Sequence, residues 1–509
     1  MKLSFSYLSG WRKAFAIAAT VAAATLTGGQ LAAQTGNPDA RIIIGQADAP
    51  ELLDPGMVPS GGRETRAIKR QIFDALVLQG SDLRPHPELA KSWTVENETR
   101  WIFELRDDVV FHNGEHFNAT AAKFTLDRNM AEGSQASWRS QLVALIDSVE
   151  IGGEYQLIIT TKKPAPTLLR ILAFQEILAP DYFKKVGPEA FEAHPVGSGP
   201  FEFVSRDGST VLLKRNEAYW GGAPKVAEAM FVTIPEVSSR IAALKTGEIT
   251  IADNIPNDLA DQLTGNVQPI RVDGTRIYFI AMNVKSPPFD NVEVRRAVAN
   301  AIDRDLVVSA LYGGAARPLT QDAYPEMFGY QPDQVGFGYD VEASKAILSK
   351  VETPVVLDVR QNDLALAQAM QGFLSAAGLK VEVNLIEDAA FGVKIEAGQS
   401  QGYVASWGVA EGDLDAILGR HFWGGRDDTS KYTNYSNARL DELIAAGRST
   451  TDPEQRNVYY AEAMQILVAD APWAPIVNPS ELYGASTNLS GWTPSPIGLY
   501  DLRNAEISN

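Results

Sequence analysis

Hydrophobic and polar residues alternate most regularly just after residue 100. Apolar side chains occupy every second position from Trp101 to Leu105, a charged Arg-Asp-Asp segment interrupts them, and apolar residues resume at Val109. The pair Asn113-Gly114 follows, and these two residue types favour the positive backbone angles of a tight hairpin turn. The pattern therefore predicts an antiparallel hairpin.

Helical periodicity is clearest in three segments, Glu64–Leu78, Ala119–Met130 and Val292–Leu311. In the third segment apolar residues recur at intervals of three and four, and a capping box begins just before it at Asp290. Later in the chain, strand patterns such as Val355–Arg360 alternate with helical patterns. This alternation predicts an α/β fold with a mostly parallel layer.

The first 33 residues have the pattern of a secretory signal peptide. Three basic residues precede an apolar, alanine-rich run from Phe15 to Leu26, and small residues follow up to Ala33. The apolar run is about a dozen residues long, which is short for a membrane-spanning helix. We expect cleavage after Ala33; an uncleaved membrane tether is the alternative.

Length and composition narrow the class of protein. About 475 residues after the leader exceed a single core, so at least two domains are expected. Cysteine is absent, which excludes disulfides and a lipoprotein anchor. The net charge is -18, and -21 without the three basic residues of the leader. Such an acidic chain argues against nucleic-acid binding.

Two short strings match catalytic or metal-binding patterns. Gly398-Gln-Ser400-Gln-Gly402 fits the nucleophile elbow, but that motif needs a strand before the serine and a helix after it. Here the helical pattern comes first and the strand pattern second. His112 and His116 have a zinc spacing, but a hairpin turn lies between them, whereas zinc ligands at that spacing share a helix face. We therefore expect a protein that is not an enzyme and has no metal site or cofactor.

Four motifs occur in the order of a known family. They are the hairpin string Trp101–Ala119, the glycine turn Gly197–Phe201, the aromatic pair in Asn216–Trp220 and the helix start Pro288–Arg304. With them, the chain after the leader resembles the family 5 (peptide/nickel type) extracellular solute-binding proteins of ABC importers.

The resemblance implies a particular architecture. It is the α/β, two-lobed fold of periplasmic binding proteins (type II), with an extra subdomain in lobe I and a hinge of two crossings. Lobe I is expected at residues 34–272 plus 478–509, with the subdomain inserted at about 79–185. Lobe II is expected at residues 273–477, and a ligand cleft lies naturally between the lobes.

The resemblance also implies where ligand binds. In peptide-binding members a strand of lobe II ends in G-W-x-x-D, and that aspartate pairs with the α-amino group of the ligand. Here Trp407 is kept but Ala410 replaces the aspartate, so Glu411 or Asp413 would have to substitute. This departure puts recognition of free peptide N-termini in doubt.

Further candidates come from the same comparison. Trp138 matches an aromatic wall of the cleft, although a surface position is the alternative; for Arg139, Arg63 and Glu411 the alternative is a solvated surface role, and for Trp407 core packing. The complete set of predicted ligand-binding residues is Trp407, Ser406, Gly408, Glu411, Asp413, Trp138, Arg139, Tyr278, Phe279, Glu51 and Arg63.

The expected function follows from the family. The resemblance implies a periplasmic substrate-binding component of an ABC importer that captures a small solute, whether peptide-like, opine, chelate or oligosaccharide. The expected partners are that solute, permease subunits in the inner membrane and cytoplasmic ATPases; the protein itself is expected to be a Sec-exported, soluble monomer in a Gram-negative periplasm. The alternatives are an exported hydrolase and a chaperone-like or adhesive periplasmic protein without a dedicated ligand.

Overall fold

The computed structural model describes residue 37 and residues 39–57, 62–136, 138–425 and 431–508. The predicted signal peptide, residues 1–33, lies outside the described residues. Residues Gly36–Asn509 form one compact unit. Among the described helices, none combines the length and the apolar character that crossing a bilayer requires.

The described residues form a mixed α/β structure. The strands are β1 (Arg41–Gln46), β2 (Val77–Gln79), β3 (Pro85–Pro87), β4 (Ala90–Glu96), β5 (Arg100–Leu105), β6 (Ile146–Gly153), β7 (Gln156–Thr161), β8 (Phe201–Asp207), β9 (Thr210–Arg215), β10 (Glu228–Thr233), β11 (Ile251–Ile255), β12 (Val267–Asp273), β13 (Arg276–Met282), β14 (Ala316–Pro318), β15 (Val355–Val359), β16 (Val381–Leu385), β17 (Gly402–Gly408), β18 (Trp473–Ser486), β19 (Leu489–Ser490), β20 (Thr493–Pro494), β21 (Tyr500–Asp501) and β22 (Glu506–Ile507).

The helices are mostly short. They are α1 (Arg63–Ile72), α2 (Ala119–Met130), α3 (Arg139–Leu145), α4 (Leu168–Leu172), α5 (Pro180–Val186), α6 (Pro188–Ala193), α7 (Val237–Thr246), α8 (Val292–Asn300), α9 (Arg304–Tyr312), α10 (Val341–Leu348), α11 (Leu364–Ala376), α12 (Asp388–Glu396), α13 (Asp415–Ile417), α14 (Ala438–Arg448) and α15 (Pro453–Asp470). Short 3-10 segments occur at Asn257–Gln262 and Gln361–Asp363, and a π segment at Leu418–Phe422.

One long strand connects two halves of the largest sheet. The sheet has twelve strands in the order β16-β15-β17-β13-β18-β11-β1-β10-β9-β8, and β12 and β14 also pair with β18. The start of β18 pairs with β13, where Trp473 lies opposite Ala281. The end of β18 pairs with β12, where Ser486 lies opposite Val267. Strand β18 therefore belongs to both halves.

The two chain connections between these halves lie side by side. One runs from β12 to β13 through Gly274, and the other is the middle of β18 at Asn478. The Asn478 amide is 1% exposed and donates 2.8 Å hydrogen bonds to the carbonyls of Gly274 and Arg276. Its oxygen accepts from Arg317 at 3.0 Å. One side chain thus fastens both connections together.

Strand β13 explains why an uninterrupted apolar run forms a strand here. Ile280 and Met282 point into one hydrophobic core, whereas Ile277, Phe279 and Ala281 point into another on the opposite face. A strand covered on both faces needs no polar alternation. The second core also contains Leu83 and Phe174, which come from the region of the predicted inserted subdomain.

The predicted hairpin is present in part. Trp101, Phe103 and Leu105 are buried on β5, which lies inside a separate four-stranded sheet in the order β4-β5-β7-β6. The turn also forms: Gly114 has φ +87°, and the amide of Phe111 donates to the carbonyl of Glu115 at 2.8 Å. After β5, however, the chain on the two sides of this turn pairs only through an isolated bridge and forms no further strand.

Three details differ from the predictions. The helix predicted at Val292–Leu311 is two helices, α8 and α9, because Asp303 adopts an extended conformation and caps α9 through the amide of Leu306. Helix α1 ends at Ile72, since Phe73 is extended. The layer predicted as mostly parallel is mixed. Strand β15 pairs in parallel with β16 and β17. Strands β13 and β18 pair antiparallel, since the chain crosses between the halves in one direction along β13 and in the other along β18. The predicted lobe boundaries stay a prediction.

Replacing Asn478 with alanine tests the importance of the joined connections. The change removes the donor from the buried carbonyl of Gly274 and from the partly buried carbonyl of Arg276. We therefore expect the free energy of unfolding to fall by roughly 1–3 kcal/mol. Urea denaturation measures it.

Asn266→Ala is the matched control, because the Asn266 amide also donates to a backbone carbonyl, that of Lys245, but at an exposed position. The control should change the free energy of unfolding by less than about 0.5 kcal/mol. Equal effects of the two substitutions would contradict the role assigned to Asn478.

Candidate functional site

The loop that follows β17, residues 409–413, lies against the region of the predicted inserted subdomain. We call these five residues the cleft loop. The amide of Gln79 donates to the carbonyl of Ala410 at 2.6 Å. Arg170 donates to the carbonyls of Glu411 and Leu83. The cleft loop therefore contacts residues more than 240 positions earlier in the chain.

Asp413 anchors the cleft loop. It is 1% exposed, and both its oxygens accept from Arg456, at 3.0 and 3.1 Å. The Nε atom of Arg170 lies 3.3 Å away on another side. Because Asp413 is buried and paired with these two arginines, its carboxylate has a structural role in holding the loop.

Glu411 is placed differently from Asp413. It is half-buried, and within the described part of the chain no side chain forms a hydrogen bond or ion pair with its carboxylate. Burial raises the pKa of Glu411 to about 7. A hydrogen bond from its own backbone amide opposes the rise, Asp413 adds to it, and Arg66 and Arg170 oppose it. The Glu411 carboxylate is therefore largely enclosed by protein while the residue keeps some contact with solvent.

The last residues of β17 form one side of this cleft. Trp407 is half-buried and meets the ring of His421 edge-on, with centroids 4.6 Å apart. Ser406 accepts a 3.0 Å hydrogen bond from Arg276, and Gly408 is exposed beside it. Trp407 packs against the hydrophobic core that also contains Leu83. It therefore lies between the protein interior and the open cleft.

The other side carries a second aromatic surface. Trp138 stacks on Phe174 with centroids 5.1 Å apart and an interplanar angle of 17°. The backbone of Trp138 has φ +68°, an uncommon conformation for a bulky residue that tends to occur at functional sites. Trp138 packs against the core shared with Trp407 as well as against the core of the four-stranded sheet. The two tryptophans thus pack against one shared core from different parts of the chain.

Arg66 and Phe174 belong to this site but escaped the sequence analysis. The Arg66 guanidinium lies 5.9 Å from the centre of the Phe174 ring. Its Nε atom is buried and has no hydrogen-bond partner among the described residues. A signal existed in α1, where Arg63, Arg66 and Arg70 recur at helical spacing, but spacing alone does not show which residues face a cleft.

Two predicted residues on β13 face opposite sides, as strand alternation requires. Phe279 is 2% exposed and stacks on Trp473 with centroids 3.6 Å apart. It is therefore a core residue and does not line the cleft, which corrects the prediction. Tyr278 is half-buried on the other face, and burial raises its pKa.

Three further predicted residues already have partners. Arg63 forms a 2.6 Å ion pair with Glu481 and also donates to Tyr483. Arg139 donates from Nε to the carbonyl of Ala131 at 2.8 Å, within its own loop. Glu51 is exposed, and its carbonyl accepts from Arg206. Among the described residues, no hydrogen bond, ion pair or ring contact joins these three to the side chains of Trp407 and Glu411.

The two catalytic-looking strings have structural roles. Ser400 is buried and donates to Asp358 at 2.6 Å, between helix α12 and strand β17, which reverses the order of a nucleophile elbow. The Nε2 atom of His112 lies 2.9 Å from the carbonyl oxygen of Gly199, while His116 is exposed. Within the described residues, no cluster of three or more acidic or histidine side chains is suited to a metal ion.

Comparison with known proteins identifies related chains. Residues 84–432 match the family model for bacterial extracellular solute-binding proteins, family 5. The chain is 26% identical to heme-binding protein A of Haemophilus influenzae, over 89% of this chain and 90% of that protein. It is 27% identical to the glutathione-binding protein GsiB of Salmonella typhi, over 87% and 90%.

The fold has a matching solved structure. HbpA2 of Haemophilus parasuis superposes with a TM-score of 0.83 at 21% identity, covering 92% of this chain and all of that one. The similarity confirms the predicted α/β, two-lobed architecture.

Replacing Glu411 with glutamine tests the electrostatics of the cleft. Its pKa is about 7 in the folded protein against 4.5 in water, so the wild type loses stability as the pH rises from 4.5 to 7. Without that charge, ligand-free Glu411→Gln should be more stable than wild type above pH 7, by roughly 1–3 kcal/mol. At pH 4.5 the two should unfold alike, as measured by thermal unfolding.

Glu382→Gln serves as the control, because Glu382 is an exposed carboxylate on β16. The difference in free energy of unfolding between this variant and wild type should be the same at both pH values. A pH-independent difference for Glu411→Gln would contradict the enclosed position of Glu411.

Proposed function

Because the chain belongs to the bacterial extracellular solute-binding proteins of family 5, we propose that it is the periplasmic substrate-binding component of an ABC importer. It captures a small solute between two lobes and delivers it, as a monomer, to permease subunits in the inner membrane, which cytoplasmic ATPases power. It makes and breaks no covalent bond. The binding proteins among its relatives support this role.

The observation that carries the proposal is that two partly exposed tryptophans from distant parts of the chain pack against one hydrophobic core. Trp407 lies at the end of β17, and Trp138 stacks on Phe174. Trp138 and Trp407 are only half-buried. Aromatic faces that stay partly open beside a few polar groups are typical of small-molecule sites.

The mechanism is a shift in conformational population. Lobe I is assigned to residues 34–272 plus 478–509, including the subdomain at about 79–185, and lobe II to residues 273–477. A solute that contacts both lobes binds the closed form more tightly than the open form, and so increases its population. The permease then recognises the closed form.

We assign the residues that contact the solute from their positions around the cleft loop. Trp407 and Trp138 supply apolar surface, Glu411 supplies charge, and Ser406 and Gly408 border the cleft loop. Relatives are named for heme and for glutathione, which differ greatly in size and charge. The solute class therefore covers peptide-like compounds, opines, chelates and oligosaccharides.

A thermal-shift screen tests the proposed function. Purified protein, freed of bound ligand by denaturation and refolding, is heated with dipeptides, glutathione, heme, opines, metal chelates and oligosaccharides. A solute that binds only the native state raises the melting temperature by mass action. Mass spectrometry should then recover the solute unchanged; its chemical conversion, or the absence of any stabilising solute, would contradict the proposal.

Trp407→Ala should weaken binding of the strongest stabilising solute by about 1–3 kcal/mol, because it removes the aromatic surface of one lobe. The fold should be retained, since Trp407 is only half-buried. Isothermal titration calorimetry measures the affinity.

Trp93→Ala is the control, because Trp93 is also half-buried but lies on β4 and packs against the four-stranded sheet. Its affinity should match wild type. An unchanged affinity for Trp407→Ala would remove Trp407 from the site.

A further inference from the structure

Leu83 is buried although it lies in a tight turn. The turn joins β2 to β3, and the neighbouring residues Asp82 and Arg84 are exposed. Leu83 itself is 1% exposed and has φ +58°, an uncommon conformation for a bulky residue. Because such connecting turns run over the protein surface, an apolar side chain at the tip is buried only where another part of the chain covers it.

The cleft loop supplies part of that cover. A Cβ atom at Gly412 would lie 2.7 Å from the Cβ atom of Leu83, so glycine is needed for this close approach. Gly412 also has φ +61°, a conformation that favours glycine. Leu83 belongs to the same hydrophobic core as Val409, the first residue of the loop, and Leu414, which follows the loop. The cleft loop therefore fits closely onto the tip of the hairpin.

Arg170 makes the polar part of the same contact. It lies on α4, is buried, and donates from one terminal nitrogen to the carbonyl of Leu83 at 2.6 Å. The same nitrogen donates to the carbonyl of Glu411. The Nε atom lies 3.3 Å from the carboxylate of Asp413. One guanidinium thus joins the tip of the hairpin to two residues of the cleft loop.

These contacts cross between the two proposed lobes. Leu83 and Arg170 lie in the subdomain of lobe I at about 79–185, whereas the cleft loop lies in lobe II, residues 273–477. The hydrogen bond from Gln79 to the carbonyl of Ala410 crosses in the same way. Each contact joins one part of the protein to another, so it stabilises the closed form whether or not a solute is bound.

The same contacts can separate without leaving the Asp413 carboxylate unpaired. If the lobes move apart, Asp413 keeps its two hydrogen bonds from Arg456. Water can replace the loop carbonyl as the acceptor for Arg170, although a bond from a charged donor contributes more than a neutral one. Leu83 loses its cover, and the exposure of its apolar surface opposes opening. The contact is therefore reversible, and it favours the closed form.

We propose that Arg170 and Leu83 form a latch that holds a substantial fraction of the molecules closed in the absence of solute. Both are positioning residues, because they act on a solute only through the cleft loop that they hold in place. This inference rests on the proposed function and concerns its hinge motion. The apparent affinity for a solute falls in proportion to the fraction of molecules in the binding-competent form. The latch therefore scales the affinity for every solute by the same factor.

Small-angle X-ray scattering of the ligand-free protein tests the latch directly. Arg170→Gln removes the guanidinium, and Leu83→Ala removes most of the apolar contact. Each substitution should shift the ratio of closed to open molecules by roughly 10–100-fold toward the open form. The radius of gyration of each variant should therefore exceed that of wild type. Arg170→Lys keeps the charge but loses the planar fork of donors, so it should restore the wild-type radius only in part.

Arg295→Gln is the matched control. Arg295 is 6% exposed and also donates to two backbone carbonyls, those of Phe289 and Asp470. All three of these residues lie in lobe II, so the substitution should lower the melting temperature without changing the radius of gyration. Circular dichroism should show the wild-type content of helix and strand in every variant, which separates opening of the lobes from unfolding.

Titration calorimetry measures the consequence for binding. The probes are the two most stabilising solutes of the thermal-shift screen that belong to different chemical classes. Arg170→Gln should weaken the binding of both probes by the same factor, because the latch changes the fraction of closed molecules and not the contacts of either solute. A residue that touched the solutes would affect the two probes unequally. Arg295→Gln should leave both affinities unchanged.

The outcomes distinguish the latch from the proposed function. Equal radii of gyration for ligand-free wild type and ligand-free Arg170→Gln would overturn the latch and keep the solute-binding role. Unequal effects of Arg170→Gln on the two probes would also overturn it. If no solute binds the wild type, the proposed function itself fails, whereas the scattering of the ligand-free proteins still decides whether Arg170 holds the two lobes together.

Discussion

The structure depends on two chain connections that are hydrogen-bonded to each other. Strand β18 belongs to both halves of the large sheet, and the Asn478 amide ties it to the adjacent connection at Gly274 and Arg276. The space there is tight, because a side chain at Gly274 would lie 2.5 Å from the carbonyl oxygen of Pro479. Any movement of one half against the other must therefore bend both connections together. Because of this restriction, the two halves can move relative to each other about one hinge, and the hydrophobic packing inside each half stays intact.

Much of the fold could be predicted because it depends on local patterns. Alternation identified β5, helical spacing identified α2 at its observed bounds, and motif order identified the architecture. The break between α8 and α9 was missed, because the apolar face continues across it and only the cap at Asp303 marks it. The mixed layer was missed because strand direction depends on which half each strand enters.

The site could be predicted only where a motif carried it. Trp407 and Glu411 follow from a motif position, whereas Arg66 and Phe174 are distant in sequence and meet only in the folded chain. Asp413 looked equivalent to Glu411 in sequence, two residues away, but the structure gives it Arg456 and Arg170 as partners. These two arginines determine which of the two carboxylates is paired with a cation. They lie 43 positions after and 243 positions before Asp413.

In the proposed function a solute controls closure of the cleft, so the contacts that the cleft loop makes have to be exchanged on opening. Gln79 bonds to Ala410, and Arg170 bonds to Glu411 and approaches Asp413. If the cleft opened, water would replace these partners, and Asp413 would keep Arg456. The neutral hydrogen bond from Gln79 contributes about 0.5–1.5 kcal/mol, and a bond from the charged Arg170 about 1.5–3 kcal/mol. Leu83 and Phe174 also lie in the core that contains Ile277 and Phe279, so the contacts of the cleft loop are only part of what holds these regions together.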